Sequence, residues 1–299
     1  MQAEIPSCTT EEVAYAIECA KKAFPAWRDT PVMKRVQVLY KFRDLLDQHW
    51  EELTECCARE HGKNWKESAG DIAKVKEPVE LACGTPTLMM GESMMDTSKG
   101  YDTVSYREPL GVFAGIAPFN FPGMIPMGWM TPICIATGNT IVIKAASKTP
   151  LTALRCAELW QEAGLPDGVL NIVTCTRQES EQFLTHPDVK GICFVGTTGV
   201  GKHIYGIAAA NGKRVQAQTE AKNHALVLED AALERTARGI INSALAVPES
   251  AVWPFPWWLP RKGIADKLVE LLIKFAGELK VGPAYDKNNG SGSGGGRCP

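Results

Sequence analysis

Apolar residues at Val13, Ile17, Ala20 and Phe24 return at helical spacing behind a Thr-Thr-Glu-Glu start, which predicts a capped amphipathic helix over residues 9–23. The same periodicity predicts helices over 31–60 and 66–83, so the first third of the chain reads as helical. The pattern then changes. Short apolar runs predict strands at 103–107, 111–117, 140–144, 169–173, 191–195, 215–218 and 226–228. Helices are expected between them at 150–163, entered through Pro150, at 179–185 and at 199–211, and later at 237–245 and 264–279. Strands alternating with helices of this length mean crossover units, so the expected fold class is α/β with a parallel sheet.

Two stretches break the pattern. PESAVWPFPWWLPRK at 248–262 holds four prolines and three tryptophans, a density that neither a helix nor a central strand tolerates. From Gly290 the chain reads GSGSGGGRCP, an irregular, flexible tail by composition.

A length of 299 residues gives room for about two domains. Lys and Arg number 32 against 34 Asp and Glu, so no basic field points to nucleic acid or an anionic membrane. The ten cysteines are scattered without CxxC or Cys/His metal spacing, which fits reduced thiols in a cytosol and no metal site. His186, His203 and His224 are too dispersed for metal ligation and suit helix ends or turns. No basic-then-apolar leader opens the chain and no apolar run approaches the ~20 residues of a membrane span, so a soluble chain is expected.

The chemistry-bearing motifs are GIAPFNFPG at 115–123, GNT at 138–140, FVGTTGVG at 194–201 and AKNH at 221–224. Together they resemble the aldehyde dehydrogenase superfamily. CGTPTLMMGES at 83–93, SYREPLGV at 105–112 and KRVQAQTEAKNH at 213–224 are similar to its CoA-acylating branch, the methylmalonate or malonate semialdehyde dehydrogenases. The resemblance covers 9–247 and 263–289. It implies a Rossmann-type NAD-binding domain at 1–246, with about 99–108 belonging to an oligomerisation arm, then a fragment of the catalytic domain at 247–289 and a tail at 290–299. Family members are much longer, and homo-oligomeric.

The parent reaction so implied takes malonate or methylmalonate semialdehyde with CoA and NAD to an acyl-CoA. In that chemistry a thiolate adds to the aldehyde and a preorganised donor holds the resulting oxyanion, a contribution of roughly 3 kcal/mol for one such donor. By resemblance Asn120 is that donor. Ala117 and Phe119 offer backbone contacts to NAD, Lys144 binds the adenosine ribose, Thr197 meets the pyrophosphate at a helix start, and Thr219 lies near the nicotinamide. Ser147 and Lys148 complete the cofactor set. The family follows its lysine with Pro-Ser-Glu, whereas Ala145, Ala146 and Ser147 stand here; losing the carboxylate removes a ribose acceptor and leaves NADP open beside NAD. Gln218 occupies the place of a glutamate base in hydrolytic relatives and cannot act as one, in keeping with release to CoA. Arg107 is the candidate clamp for the substrate's distal carboxylate.

A competing motif exists. GTTGVGK at 196–202 fits a phosphate-binding loop of nucleotide hydrolases, yet His203 follows Lys202 where Ser or Thr should hold magnesium.

The nucleophile is missing. Where the family reads close to AGERCMA, this chain reads VPESAVWPF, and the cysteine is expected near Ala251 and Val252. Codons compatible with 248–262, read from the third base of the Val247 codon, can spell AGERCMAFPVVVATE, so this stretch is expected to be out of frame with an ancestral gene. A second shift at Asn289 accounts for the glycine-rich end. The alternative is a genuine Trp-rich surface loop. The chain as written is therefore expected to be inactive, either as a frame-disrupted enzyme or as a nucleotide-binding, oligomer-interfering subunit.

Overall fold

The computed structural model describes residues 4–221, 223–245, 257–287 and 291–293. It opens with α1 (Thr10–Asp29), α2 (Val32–Gln48), α3 (Trp50–His61), α4 (Trp65–Cys83) and the short α5 (Thr85–Leu88). Thr9 and Glu12 close the capping box that starts α1. The helix outruns its expected end and passes Pro25, because buried Trp27 anchors its last turn by donating from Nε1 to the Ile135 carbonyl at 2.8 Å. The single helix expected over 31–60 is broken at His49 (φ −100°, ψ 18°), after which α3 packs on α4.

A hairpin of β1 (Ser93–Ser98) and β2 (Tyr101–Val104) follows, exposed along its whole length. The strand expected at 103–107 thus ends early, and its partner was not foreseen. Next come β3 (Val112–Ile116), a π-helix at Met124–Met130, α6 (Thr131–Ala136), β4 (Thr140–Lys144), α7 (Leu151–Glu162) and β5 (Leu170–Val173). Two four-residue helices, α8 (Arg177–Ser180) and α9 (Gln182–Thr185), replace the one expected at 179–185; then β6 (Val189–Val195), α10 (Thr198–Ala210) and β7 (Arg214–Gln218) complete the alternation.

These strands form one five-stranded parallel sheet in the order β5-β4-β3-β6-β7. Alternation along each strand divides its side chains between two helical layers. On β4, Ile141 and Ile143 enter the core shared with α2, α4, α6 and α7, while Val142 between them joins Val13, Ile17 and Ala20 of α1 and Ile204 and Ala208 of α10 on the other face. Both faces of the sheet are therefore covered, as a parallel sheet requires.

The rest of the chain has its own small core. β8 (His224–Val227) pairs parallel with β9 (Trp257–Pro260), and α11 (Leu233–Leu245) packs on α12 (Ala265–Gly277) through Ile240, Ile241, Leu268, Leu272 and Phe275. α11 buries its apolar stripe against α12, and Val227 of β8 shares that core. Trp257–Pro260, inside a stretch unsuited to a central strand, is accommodated in a sheet with only two strands. Ser291–Ser293, expected to be irregular, forms β11 and pairs parallel with β10 (Val281–Pro283), since backbone donors and acceptors form a ladder without side-chain help. Among the described residues no helix is long and apolar enough to cross a membrane.

Candidate active site and dinucleotide cleft

Numbered from its first member, the large sheet has the order 3-2-1-4-5, so the chain reverses direction across the sheet between β3 and β6. In open parallel sheets such a reversal opens a crevice at the carboxyl ends of the strands, where ligands bind. The two loops flanking this crevice carry the motifs singled out from sequence: residues 117–123 follow β3, and Gly196 and Thr197 follow β6. Strand register places Ile116 level with Lys144 and Phe194, and Val195 level with Gln218, so these residues share one rim.

Ala117 is buried, and its N–H donates to the Lys144 carbonyl at 3.1 Å, joining the β3 loop to the end of β4. The Phe119 carbonyl accepts from the Thr149 hydroxyl at 2.8 Å, and its ring lies 5.3 Å from the Lys148 ammonium. Ser147 and Lys148 are exposed on the turn after β4. Asn120 is buried, and its side-chain carbonyl oxygen has no hydrogen-bond partner among the described residues. The orphaned atom is an acceptor, and Asn120 stands on the loop that follows β3, beside the crevice.

Thr197 caps α10 by position but its side chain makes no bond to the first turn, which leaves the N–H groups there without that cap. Thr219 follows β7 and is exposed. A Cβ on Gly201 would stand 2.4 Å from the Thr219 methyl carbon, so only glycine lets α10 approach that strand end so closely. The Gln218 carbonyl accepts from the Gly196 N–H at 3.1 Å, tying the two strand ends together.

A cavity of about 210 Å³ opens at this rim, lined by Lys144, by the apolar side chains of Ile116, Leu184, Val200 and Ile204, and by Arg177, Ser180, Glu181 and His203. The last four were not singled out as ligands from the sequence. His203 Nε2 lies 2.8 and 3.0 Å from the two Glu181 oxygens, and Arg177 Nε lies 3.2 Å from one of them. Apolar walls beside a lysine suit a heteroaromatic base joined to a ribose, so the residues present fit an adenine dinucleotide.

Arg107 stands apart. It is exposed, its guanidinium donates to the Met90 carbonyl at 3.2 Å, and it bonds to none of the other candidates. Ala251 and Val252 lie outside the described residues. Burial pushes the Cys56 thiol up to about 11 and raises Cys57, Cys134, Cys156 and Cys193 as well, which makes these five poor nucleophiles. The nucleotide-hydrolase reading loses its geometry: α10 starts at Thr198, which leaves two residues between strand and helix and sets Lys202 inside the helix, too far along to wrap a phosphate.

Comparison with known proteins gives the same picture. A model of the aldehyde dehydrogenase family matches residues 1–294. Malonate-semialdehyde dehydrogenase 2 of Geobacillus kaustophilus is 46% identical over 286 residues, covering 96% of this chain and 59% of the relative. The crystal structure of methylmalonate-semialdehyde dehydrogenase from Oceanimonas doudoroffii superposes with a TM-score of 0.92 at 39% identity, over 95% of this chain and 58% of that one. A Sinorhizobium meliloti protein described as a methylmalonate-semialdehyde dehydrogenase, and solved with NAD, gives 0.93 at 37% identity, over 97% and 59% of the two chains. The chain thus spans about 59% of the length of the relatives it matches. With two of the sequence motifs flanking the crevice and the family model matched over residues 1–294, the chain belongs to the aldehyde dehydrogenase family.

Proposed function

We propose that this chain is the dinucleotide-binding lobe of a CoA-acylating malonate or methylmalonate semialdehyde dehydrogenase, with part of the catalytic lobe attached, and that as written it binds NAD without turning it over. The carrying observation is the convergence of the β3 and β6 loops on the reversal point of the sheet. Lys144 would hold the adenosine ribose, with Ser147 and Lys148 on the turn beside it, and the free first turn of α10 behind Thr197 would receive the pyrophosphate. Ala117, Phe119 and Thr219 would line the path toward the nicotinamide. Bound NAD would supply the hydride acceptor.

Asn120 would donate to the oxyanion formed when a thiolate adds to the aldehyde, and Gln218, unable to take a proton, would leave the thioester for CoA. Arg107 is retained for the distal carboxylate on its chemistry alone. The thiolate itself is what the chain as written lacks, and the frame-compatible codons of 248–262 are our account of its loss. A cytosolic setting fits the unpaired cysteines.

A second reading, an inactive subunit that joins oligomers of intact relatives, is favoured by one observation. The β1–β2 hairpin exposes Met94, Met95 and Tyr101 at 63%, 79% and 72%, more apolar surface than an isolated arm keeps without a partner.

Titrating the purified chain with NAD, then adding malonate semialdehyde and CoA and following NADH, tests the proposal. Saturable NAD binding with no NADH formed is expected. Absence of binding refutes the lobe assignment, and NADH formation refutes the inactivity.

A further inference from the structure

Nothing in the Asn120 side chain explains how its amide is aimed. Its carbonyl oxygen is buried without a partner, so no bond from the side chain to the protein fixes the torsions through that atom. Its direction must come from the backbone beneath it. That backbone is held by two charged side chains that lie far away in sequence and have no other evident role.

Lys63, in the turn between α3 and α4, is fully buried, and so is Asp71 on α4. The Lys63 ammonium donates to Asp71 Oδ2 at 2.9 Å and to the backbone carbonyl oxygen of Asn120 at 2.9 Å, and it sits 4.2 Å from the centre of the Phe121 ring. The other Asp71 oxygen accepts from the Met124 N–H at 2.6 Å. The Cys57 thiol lies 3.7 Å from Asp71 Oδ2, and a Cβ on Gly123 would come within 3.0 Å of Asp71 Oδ1. One buried ion pair thus grips the loop on both sides of its bend, before it at Asn120 and Phe121 and after it at Gly123 and Met124.

An apolar pair of similar volume would fill this space at least as well, because desolvating two charges offsets much of their attraction. An ion pair here does what an apolar pair cannot: it satisfies a buried carbonyl and a buried N–H of an irregular loop, each of which would otherwise be orphaned. Charge-assisted bonds are also short and directional, so they fix the positions of those two groups.

We infer that Lys63 and Asp71 are positioning residues for Asn120, whose amide they aim into the crevice by clamping the 120–124 backbone. The inference rests on the oxyanion role proposed for Asn120, but its test does not need turnover.

The test is NMR of the full chain with selectively labelled asparagine, in which the side-chain amide signals of Asn120 are assigned by their loss in Asn120→Asp. Two variants are compared with the unchanged protein. Asp71→Asn keeps the shape and an acceptor for Met124 while removing the charge. The double variant Lys63→Met with Asp71→Leu keeps the core apolar and filled. Both should shift or broaden the Asn120 amide signals, while those of Asn139 and Asn171, whose side chains are tied to Thr137 and Gly168, stay in place. A double variant that melts with the unchanged protein and still moves the Asn120 signals separates aiming from general support of the fold.

Asn120 signals that remain in place in a folded variant overturn the inference. If the double variant does not fold, Asp71→Asn decides by the same criterion. A parallel NAD titration keeps the two claims apart: moved Asn120 signals in a protein that binds no NAD uphold the clamp and refute the proposed function, whereas NAD binding with unmoved signals does the reverse.

Discussion

Glu60, at the end of α3, caps a helix 91 residues further along the chain: its carboxylate accepts the N–H of Leu151 at 2.7 Å and of Thr152 at 2.9 Å, the first turn of α7. Pro150 stands at the cap position of that helix and has no side-chain acceptor to offer. Burial raises the Glu60 carboxyl, and the bonds from Thr152 and Leu151 oppose that rise. Substituting Glu60→Ala removes both acceptors and should lower stability by about 1–2 kcal/mol, the usual scale for a lost cap. Denaturant unfolding of the variant measures it.

His61 follows in sequence and is largely buried, its two ring nitrogens without partners among the described residues and its ring stacked on Phe119 at 6.3 Å. Burial, with the nearby Lys63, pushes it down to about 3 from 6.5. The unfolded chain therefore binds a proton that the folded one refuses. His61 adds stability that is fully present above about pH 6.5 and is lost as the pH falls toward 3, at about 1.4 kcal/mol per unit inside that window. Unfolding curves between pH 4.5 and 7 should show this slope, and His61→Phe should flatten it.

Lys63→Met alone leaves the Asp71 carboxylate buried and unpaired, with a cost of about 3–5 kcal/mol. Pairing it with Asp71→Leu should recover part of that loss, since the charge is gone while the Asn120 backbone carbonyl and the Met124 N–H lose their partners. Equal destabilisation of the single and double variants, read by chemical denaturation, would contradict the account.

Gly201→Val should drive a side chain into Thr219 and push α10 off the end of β7. NAD affinity is expected to fall at least tenfold, or about 1.4 kcal/mol. Calorimetric titration tests this, and the circular dichroism of the variant shows whether the fold persists.

Much of the alternating half was legible because its signals are local. Thr9 with Glu12, Pro150 before α7, and the β-branched run over Thr140–Lys144 each announce an element within a few residues. The break at His49 has no proline or glycine to mark it; it exists because α3 packs on α4 and α7. The π-helix at Met124–Met130 is apolar along nearly its whole length, and no period distinguishes such a run. Asn120, Lys144 and Thr197 are candidates because they lie in motifs contiguous in sequence. Lys63 and Asp71 carry no such signal, because the ligand of one is a backbone carbonyl 57 residues away and that of the other a backbone N–H 53 residues away. Glu181 and His203 meet only when α10 folds over α9.

Sequencing the gene through the codons of residues 247–262 bears on the missing thiol. The third base of the Ala251 codon followed by the first two of Val252 should read as a cysteine codon, with methionine next in that frame. A coding sequence unable to spell those two residues removes the frame-shift account.

The central claim is that an adenine dinucleotide binds at the reversal point of the sheet, and thermal melting with and without NAD tests it most directly. At NAD about a hundredfold above its Kd, binding adds about 2.7 kcal/mol, which should raise the Tm by roughly 5–10 °C. In Lys144→Ala the rise should shrink or vanish. A Tm that NAD leaves unchanged, or one that rises equally in both proteins, would contradict the account.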